Sequence, residues 1–589
     1  MELLYIHIFN DNRNIKNCEF NFSPNYRFAY DIYSKRLTMT RPNKLPPQWF
    51  GPNIKNITGI IGKNGAGKSN LIEYIIKTLC YQNGGIIIWK YNNILYRNKM
   101  SFEITCDFDL KEWHFWGSPF GGIEKRINDA AVIYYSPTID RNLDHRKNRY
   151  HKFHDISNSF LLRQKHQNHI TVPSYAQLPD VEHMRLIDTF RLILFFIYTR
   201  GKGVDLPSDL RKPQYLRLEF HLFDDVIPDH PTYLAINKTQ DKTFESQLKY
   251  FITRQIFGNL SIPESWNENT TLEEVLYTYC NDIDRFRPNI YDVLVQLYNE
   301  KRICCKLDAQ KPTKIGDDLY LSIETDALSI KFLSALFAYY FRENPCYASF
   351  STLKFLSNKK NDFIFMNWDG MSSGEYAFYN FISRLYGELY QIEHEIHIAA
   401  ENQIRIQYRP EIKNVILILD EAELSFHPEW QQKFMSLLID SLNLIFHNIE
   451  FQIILASHSP ILISDIPKSN IIFLRKNSAG ECQVCNPMQK HETFGANIHT
   501  LFEDSFFLNG LPIGDFAKRK IQNLFDRLSI DKDCSPQILS EIELVGEPVL
   551  RNQLKKLFDE NMQLVNVDTQ ICILEQKIEQ LKHQKHDRN

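Results

Sequence analysis

Two hydrophobic rhythms alternate along the chain. Near the N-terminus aromatic and polar residues trade places, as at Phe20, Phe22, Tyr26, Phe28 and Tyr30. This period of two predicts short strands up to about Ile61. The apolar run Ile57–Gly62 ends in a glycine-rich turn, and there the rhythm changes. Leu71, Ile72, Ile75, Ile76 and Leu79 fall at helical spacing and predict a helix from about Lys68 to Tyr81. Residues 84–91, 102–110 and 130–136 read as further strands. From 175 to 341 the pattern is mostly helical, with no sustained heptads and no repeat. A second block of strands and helices runs from about Ser351 to Leu474. Beyond it Leu564, Val567, Ile571, Leu574, Ile578 and Leu581 step by threes and fours. That is either a short coiled-coil seam or an amphipathic helix packed on its own body.

The expected class is α/β, in four parts. An N-terminal lobe covers 1–175, a helical insertion 176–345, a second α/β lobe 346–510, and C-terminal helices 511–589. The 589 residues carry a net charge of −3, so the chain as a whole does not attract nucleic acid electrostatically. Locally, Arg141, Arg146, Lys147, Arg149, Lys152, Arg163 and Lys165 outnumber Asp144 and Asp155. This stretch is a solvated loop face or a contact for a phosphate backbone. No apolar run reaches the ~18 residues of a membrane span, so no membrane partner is expected. The N-terminus does not read as a signal peptide. Eleven scattered cysteines fit reduced thiols in the cytoplasm. Cys482 and Cys485 lack a second pair, and His491 and His499 do not complete a metal-ligand pattern, so a strand and turn without metal is expected there.

Four short segments carry chemistry. Gly62-Lys63-Asn64-Gly65-Ala66-Gly67-Lys68-Ser69 fits G-x-x-x-x-G-K-[ST], with a buried strand before it and an amphipathic helix after it. Backbone N–H groups of such a loop close around phosphate oxygens, helped by the positive end of the helix dipole. Lys68 would reach the β- and γ-phosphates and the Ser69 hydroxyl would ligate Mg²⁺. Asn64, Gly65, Ala66, Gly67 and Asn70 complete the expected ATP contacts. The second segment, Val415–Leu419 followed by Asp420-Glu421, is an apolar strand of the kind buried on both faces, with two carboxylates at its carboxyl end. Asp420 would hold Mg²⁺, and Glu421 would polarise the attacking water. Third, Phe451–Ala456 runs into Ser457-His458-Ser459, after a helix long enough for a crossover that returns His458 to Glu421. Fourth, Met371-Ser372-Ser373-Gly374-Glu375 reads by itself as a helix N-terminus.

In this order the four segments resemble the ABC ATPase head. Met371–Glu375 stands where that family has its Leu-Ser-Gly-Gly-Gln signature, with Ser372 and Gly374 matching and Met371, Ser373 and Glu375 departing mildly. The fold implied is a P-loop sheet with N-terminal antiparallel strands, a helical insertion and a helical tail. The resemblance also implies that Ser372, Ser373, Gly374 and Glu375 of one copy close over ATP held by another, in a homodimer or higher even oligomer. The run Asp420-Glu421-Ala422-Glu423, followed by His427-Pro428, is similar to the soluble OLD, RecF and SMC-like ATPases. So is Ser457–Pro467. Phe494–His499, 504–508 and Ile513–Ala517 look like the PtuA-type ATPases of the Septu and retron-associated anti-phage systems. The family's glutamine loop has no counterpart after Ala130–Ser136, where Pro137 follows instead.

An in-chain nuclease is not expected. Asp531 and Asp533 are the only downstream carboxylate pair of suitable spacing, and no apolar strand leads into them. The resemblance therefore implies an ATPase that senses or gates, controlling a separate effector nuclease, of HNH type by analogy with Septu and retron systems. Its rival is a DNA-binding repair ATPase of the RecF or SMC type, which the basic run Arg141–Lys165 would serve. A scaffold that does not hydrolyse ATP is disfavoured by the joint presence of Lys68, Asp420, Glu421 and His458.

Overall fold

The computed structural model describes residues 1–42, 45–81, 85–112, 129–139, 153–167, 180–220, 229–238, 243–259, 262–279, 289–306, 319–341, 364–390, 412–424, 426–486, 489–504, 514–564 and 571–579. The chain is α/β and divides into two units, Met1–Phe507 and Leu508–Asn589. Among the described residues no helix is long and apolar enough to cross a membrane.

The first unit is organised by a seven-stranded sheet. Its order is Phe153–Asp155, Ala130–Tyr135, Asn414–Asp420, Glu450–Ala456, Ile54–Gly62, Ile471–Lys476 and Cys482–Val484. All neighbours are parallel except the last, which turns back antiparallel at the edge. Burial on both faces explains the uninterrupted apolar runs. Ile416 and Ile418 join one core cluster with Leu71, Ile72 and Ile75 of the helix Lys68–Tyr81. Val415, Leu417 and Leu419 join another on the opposite face, with Phe434 and Leu438 of the helix Pro428–Ile445.

A five-stranded sheet built on Glu2–Asn10 covers the first face. Its attachment is polar and far-reaching in sequence. Buried Gln452 accepts from the Leu3 N–H at 2.6 Å and donates to the Leu3 carbonyl at 2.8 Å. Asn56 and Thr58 both donate to the Phe22 carbonyl. Each of these side chains sits inside an apolar strand and satisfies main-chain groups that would otherwise be buried alone. Residues 102–110 differ from expectation. Their alternation is real, and Phe102, Ile104, Cys106, Phe108 and Leu110 pack on one cluster. Only Thr105–Cys106 forms a ladder, because pairing needs a neighbouring strand as well as a pattern.

The stretch read as a helical insertion needs correction too. Its helices are present, notably Asp180–Gly201, but they accompany a four-stranded antiparallel sheet. Its order is Ile303–Lys306, Leu319–Glu324, Tyr215–Phe220 and Ile364–Asp369. Tyr215–Phe220 and Leu319–Glu324 alternate buried and half-exposed positions in register. This period-two signal is short beside the long apolar helices around it, which dominate the pattern.

The helix Ser373–Tyr390 follows directly on that sheet and packs against Asp180–Gly201. Arg384 is buried between them. It forms a forked pair with Asp188, Nε to Oδ1 at 2.8 Å and Nη2 to Oδ2 at 2.5 Å. Nη1 donates to the Ile156 carbonyl and to Asn158 Oδ1. Arg191 approaches Asp188 at 3.6 Å. Of the Arg141–Lys165 run, residues 141–152 with five of its seven basic residues lie outside the described residues, while Arg163 and Lys165 fall on the helix Asn158–Gln167.

The second unit has its own core of Leu524, Leu528, Ile538, Ile542, Leu554, Phe558 and Ile573. Asp533 is engaged by Arg527 at 2.9 Å and accepts the Ser535 N–H at the start of Pro536–Glu543. In the helix 571–579 the heptad positions Ile571, Leu574 and Ile578 are about half exposed, while Ile573 is the residue that packs on this core. Val567 and Leu581 lie outside the described residues.

The forked pair gives a direct test. Arg384→Leu leaves the buried Asp188 with only the more distant Arg191 and should lower stability by on the order of 3 kcal/mol. Replacing both residues by leucine should recover much of this, read as the thermal midpoint. A midpoint unmoved by the single change would show that the pair contributes nothing.

Candidate active site

Three neighbouring parallel strands end together. Register pairs Asp420 with Ala456 and Ala456 with Ile60. The segments that leave these strands, Gly62–Ser69, Glu421–Glu423 and Ser457–Ser459, therefore emerge side by side at one edge of the sheet. Ligands of open α/β sheets bind at this carboxyl edge.

The glycine-rich loop has the backbone its sequence requires. Gly65 and Gly67 sit at φ +72° and +108°, where a side chain would be strained. The loop runs into the helix Lys68–Tyr81, so the first helical N–H groups open onto it. Lys68 is folded along the loop, its Nζ donating to the Gly62 carbonyl at 2.9 Å. Burial lowers the ammonium's pKa, while the charges of Glu421 and Asp420 act to raise it. A cation facing two carboxylates across a cradle of N–H groups suits a polyanion with a divalent metal. Asn70 is engaged otherwise. Its amide donates to Asn14 Oδ1 at 2.6 Å and accepts from Arg13 at 2.9 Å.

Asp420 is nearly buried and accepts from the Tyr134 hydroxyl at 3.2 Å. Burial and the adjacent Glu421 charge push its carboxyl up to about 6, against the pull of Tyr134 and Lys68. Glu421 itself has φ +52°, a left-handed conformation that costs a non-glycine residue about 1–3 kcal/mol. Its N–H donates to the Ala456 carbonyl at 2.9 Å, which fixes the turn against the neighbouring strand. The side chain is 30% exposed and reaches His458, Nε2 to Oε1 at 3.5 Å. Burial and then the Lys68 charge lower the imidazole's pKa, so it is neutral near pH 7. A neutral histidine beside a half-open carboxylate can orient water or share a proton.

Ser372–Glu375 takes no part in this cluster within one chain. Among the described residues no hydrogen bond or ion pair joins it to Gly62–Ser69. It forms a reciprocal cap on the helix Ser373–Tyr390. The Glu375 N–H donates to Ser372 Oγ, and the Ser372 N–H donates to Glu375 Oε2 at 2.7 Å. Gly374 is fixed by contact, since a Cβ there would lie 2.6 Å from the indole of Trp430. Trp430 belongs to the helix that follows the Asp420 strand, so Ser372–Glu375 and Asp420–Glu421 share one mechanical support.

Two contributors leave no local signal in the sequence, and a third appears there without an assigned role. Asn14 lies against the loop, 3.5 Å from the Gly65 carbonyl. Tyr134 holds Asp420. Glu423 is buried beneath the His458 turn. Only Glu423 left a signal, as a third carboxylate within four residues. Asn14 and Tyr134 reach the site through strand pairing that no local pattern reveals.

The raised Asp420 carboxyl has a sign that can be checked. Below 3.8, its ordinary value, it is protonated in folded and unfolded chains alike and costs nothing. Above about 6 it is ionised in both, and the fold carries the full cost, about 1–3 kcal/mol. Asp420→Asn should therefore raise the thermal midpoint of the ligand-free protein at pH 7.5, with a gain that shrinks as pH falls through 6. A midpoint unchanged at pH 7.5 would contradict the assignment. Compared with protein families and with curated proteins, the chain matches no family model and no curated sequence.

Proposed function

We propose that this chain is an ATPase of the ABC type that works in pairs and couples its nucleotide state to a separate effector. The observation carrying this reading is the shared strand edge, where Lys68, Asp420, Glu421 and His458 meet above a positive-φ glycine loop. Loop N–H groups and Lys68 bind the phosphates. Ser69 and Asp420 would hold Mg²⁺, whose chemistry is to neutralise charge on the phosphate oxygens. Glu421 orients and polarises the attacking water, and His458 contacts the terminal phosphate and Glu421.

Pairing follows from an incompleteness. Ser372–Glu375 has the sequence order and the helix-start geometry of a phosphate-facing signature, but no hydrogen bond or ion pair to its own chain's loop among the described residues. A second copy would supply it. Closing and opening of such a pair moves the helix Ser373–Tyr390 and the insertion packed on it. That surface, or the C-terminal helices, would carry the effector, a nuclease of HNH type by the resemblance set out above.

Lys68→Ala removes a charge-assisted phosphate contact and should weaken ATP binding about 10–100-fold, measured by titration calorimetry at unchanged fold. Equal affinity would sink the loop assignment. Glu421→Gln keeps the metal and nucleotide contacts and should slow turnover about 10²–10⁴-fold. It should also accumulate an ATP-dependent dimer, seen by weighing the particles. Wild-type turnover in this variant would remove Glu421 from its role.

A further inference from the structure

Glu423 lies under the site and is unexplained by it. It is 4% exposed, two residues beyond Glu421, on the turn that leaves the Asp420 strand. Its Oε1 accepts the hydroxyl proton of Ser457, which is fully buried at the end of the neighbouring strand. The Ser457 hydroxyl, Glu423's own backbone N–H and the nearby N–H of His458 all favour the carboxyl's charged form. Ser457 Oγ in turn accepts the Ser459 N–H at 2.9 Å, and Ser459 Oγ donates to Gln431 at 2.7 Å. Gln431 donates back to the Phe426 carbonyl, closing the circuit on the chain that carries Glu423. Every residue of the turn 457–459 is thus tied to the segment that begins at Glu421.

A buried carboxylate is an expensive way to hold a turn. Burial raises its pKa against the pull of its hydrogen bonds, and its Oε2 has no partner. What this side chain holds is the 457–459 turn, so its value lies in what the turn presents. That is His458, on the residue between the two tethered serines, 3.5 Å from Glu421. The imidazole and the Glu421 carboxylate stand on separate strands, and their spacing is set by the connection beneath them.

Resting on the ATPase reading, we propose that Glu423 is a positioning residue for hydrolysis, which acts through Ser457 and the turn it anchors to hold the His458 imidazole against Glu421 and the terminal phosphate. It touches neither nucleotide nor water itself. Its loss should reduce kcat and leave KM for ATP unchanged.

A double-mutant cycle on the full-length protein tests this. Glu423→Ala should lower kcat about 10–100-fold, as loss of an outer-shell support does, with KM within about twofold. In a His458→Ala background the same change should cost less than about threefold, because the group it positions is gone. Glu423→Gln should restore most of the activity, since its amide oxygen can accept the Ser457 hydroxyl proton while the partnerless atom becomes the NH₂. If Glu423→Ala does not fold, Ser457→Ala with and without His458→Ala replaces it, with the same expected non-additivity. Equal losses in both backgrounds, or a loss carried by KM, would overturn the proposal. The two readings separate cleanly. Wild-type protein that hydrolyses no ATP defeats the ATPase reading and this inference together. Hydrolysis that requires Lys68 and Glu421, with additive Glu423 and His458 effects, defeats this inference alone.

Discussion

The site depends on strand register in a sheet that is buried on both faces. Parallel ladders fix Asp420 beside Ala456 and Ala456 beside Ile60, and burial forbids a one-residue slip that would exchange the two cores. From this alone it follows that three loops leave the sheet at the same height. The polar groups then need only short turns to meet. Glu421 meets His458 because its own N–H is bound to Ala456 at the end of the strand that carries the histidine.

Concentrating carboxylates at that edge has an electrostatic cost. Asp420, Glu421 and Glu423 lie within four residues, and burial, with the Glu421 charge added to it, raises the pKa of Asp420 and of Glu423. Lys68 offsets part of this, as do the Tyr134 hydroxyl at Asp420 and the Ser457 hydroxyl at Glu423. The left-handed backbone at Glu421 adds strain at the same place. Strain and like-charge crowding of this kind gather at functional sites, where a ligand that neutralises them gains affinity from their relief.

Much of this was legible in the sequence, for identifiable reasons. The glycine loop could be read because its residue types are dictated by backbone angles, and the strands because burial on both faces leaves only apolar residues. The helix Lys68–Tyr81 could be read because five apolar positions share one face. What stayed hidden is what depends on distant pairing. The sheet that carries Ile364–Asp369 up to Ser372 draws its strands from residues 215 to 369, and its short alternations gave no hint of their partners. Tyr134 and Asn14 reach the site through neighbours nearly 300 and about 50 residues away, Asp420 and Gly65. The close fit of Gly374 under Trp430 is likewise a fact of packing. The sequence shows a glycine there but not the ring that demands it.

The order of strands in the central sheet sets a schedule for biosynthesis. The strand Ile54–Gly62 lies between Glu450–Ala456 and Ile471–Lys476, so both of its neighbours are made long after it. At about 5–20 residues per second, it spends on the order of 20–80 s emerged from the ribosome before either partner exists. Throughout that interval an apolar strand with both edges unpaired must be shielded or held in provisional contacts, and the first residues of the chain, bound by Gln452, share the delay. A chain terminated before residue 450 therefore lacks both partners of this strand. The glycine loop and its strand are synthesised early, but their partner strands arrive only with residues near the far end of the unit.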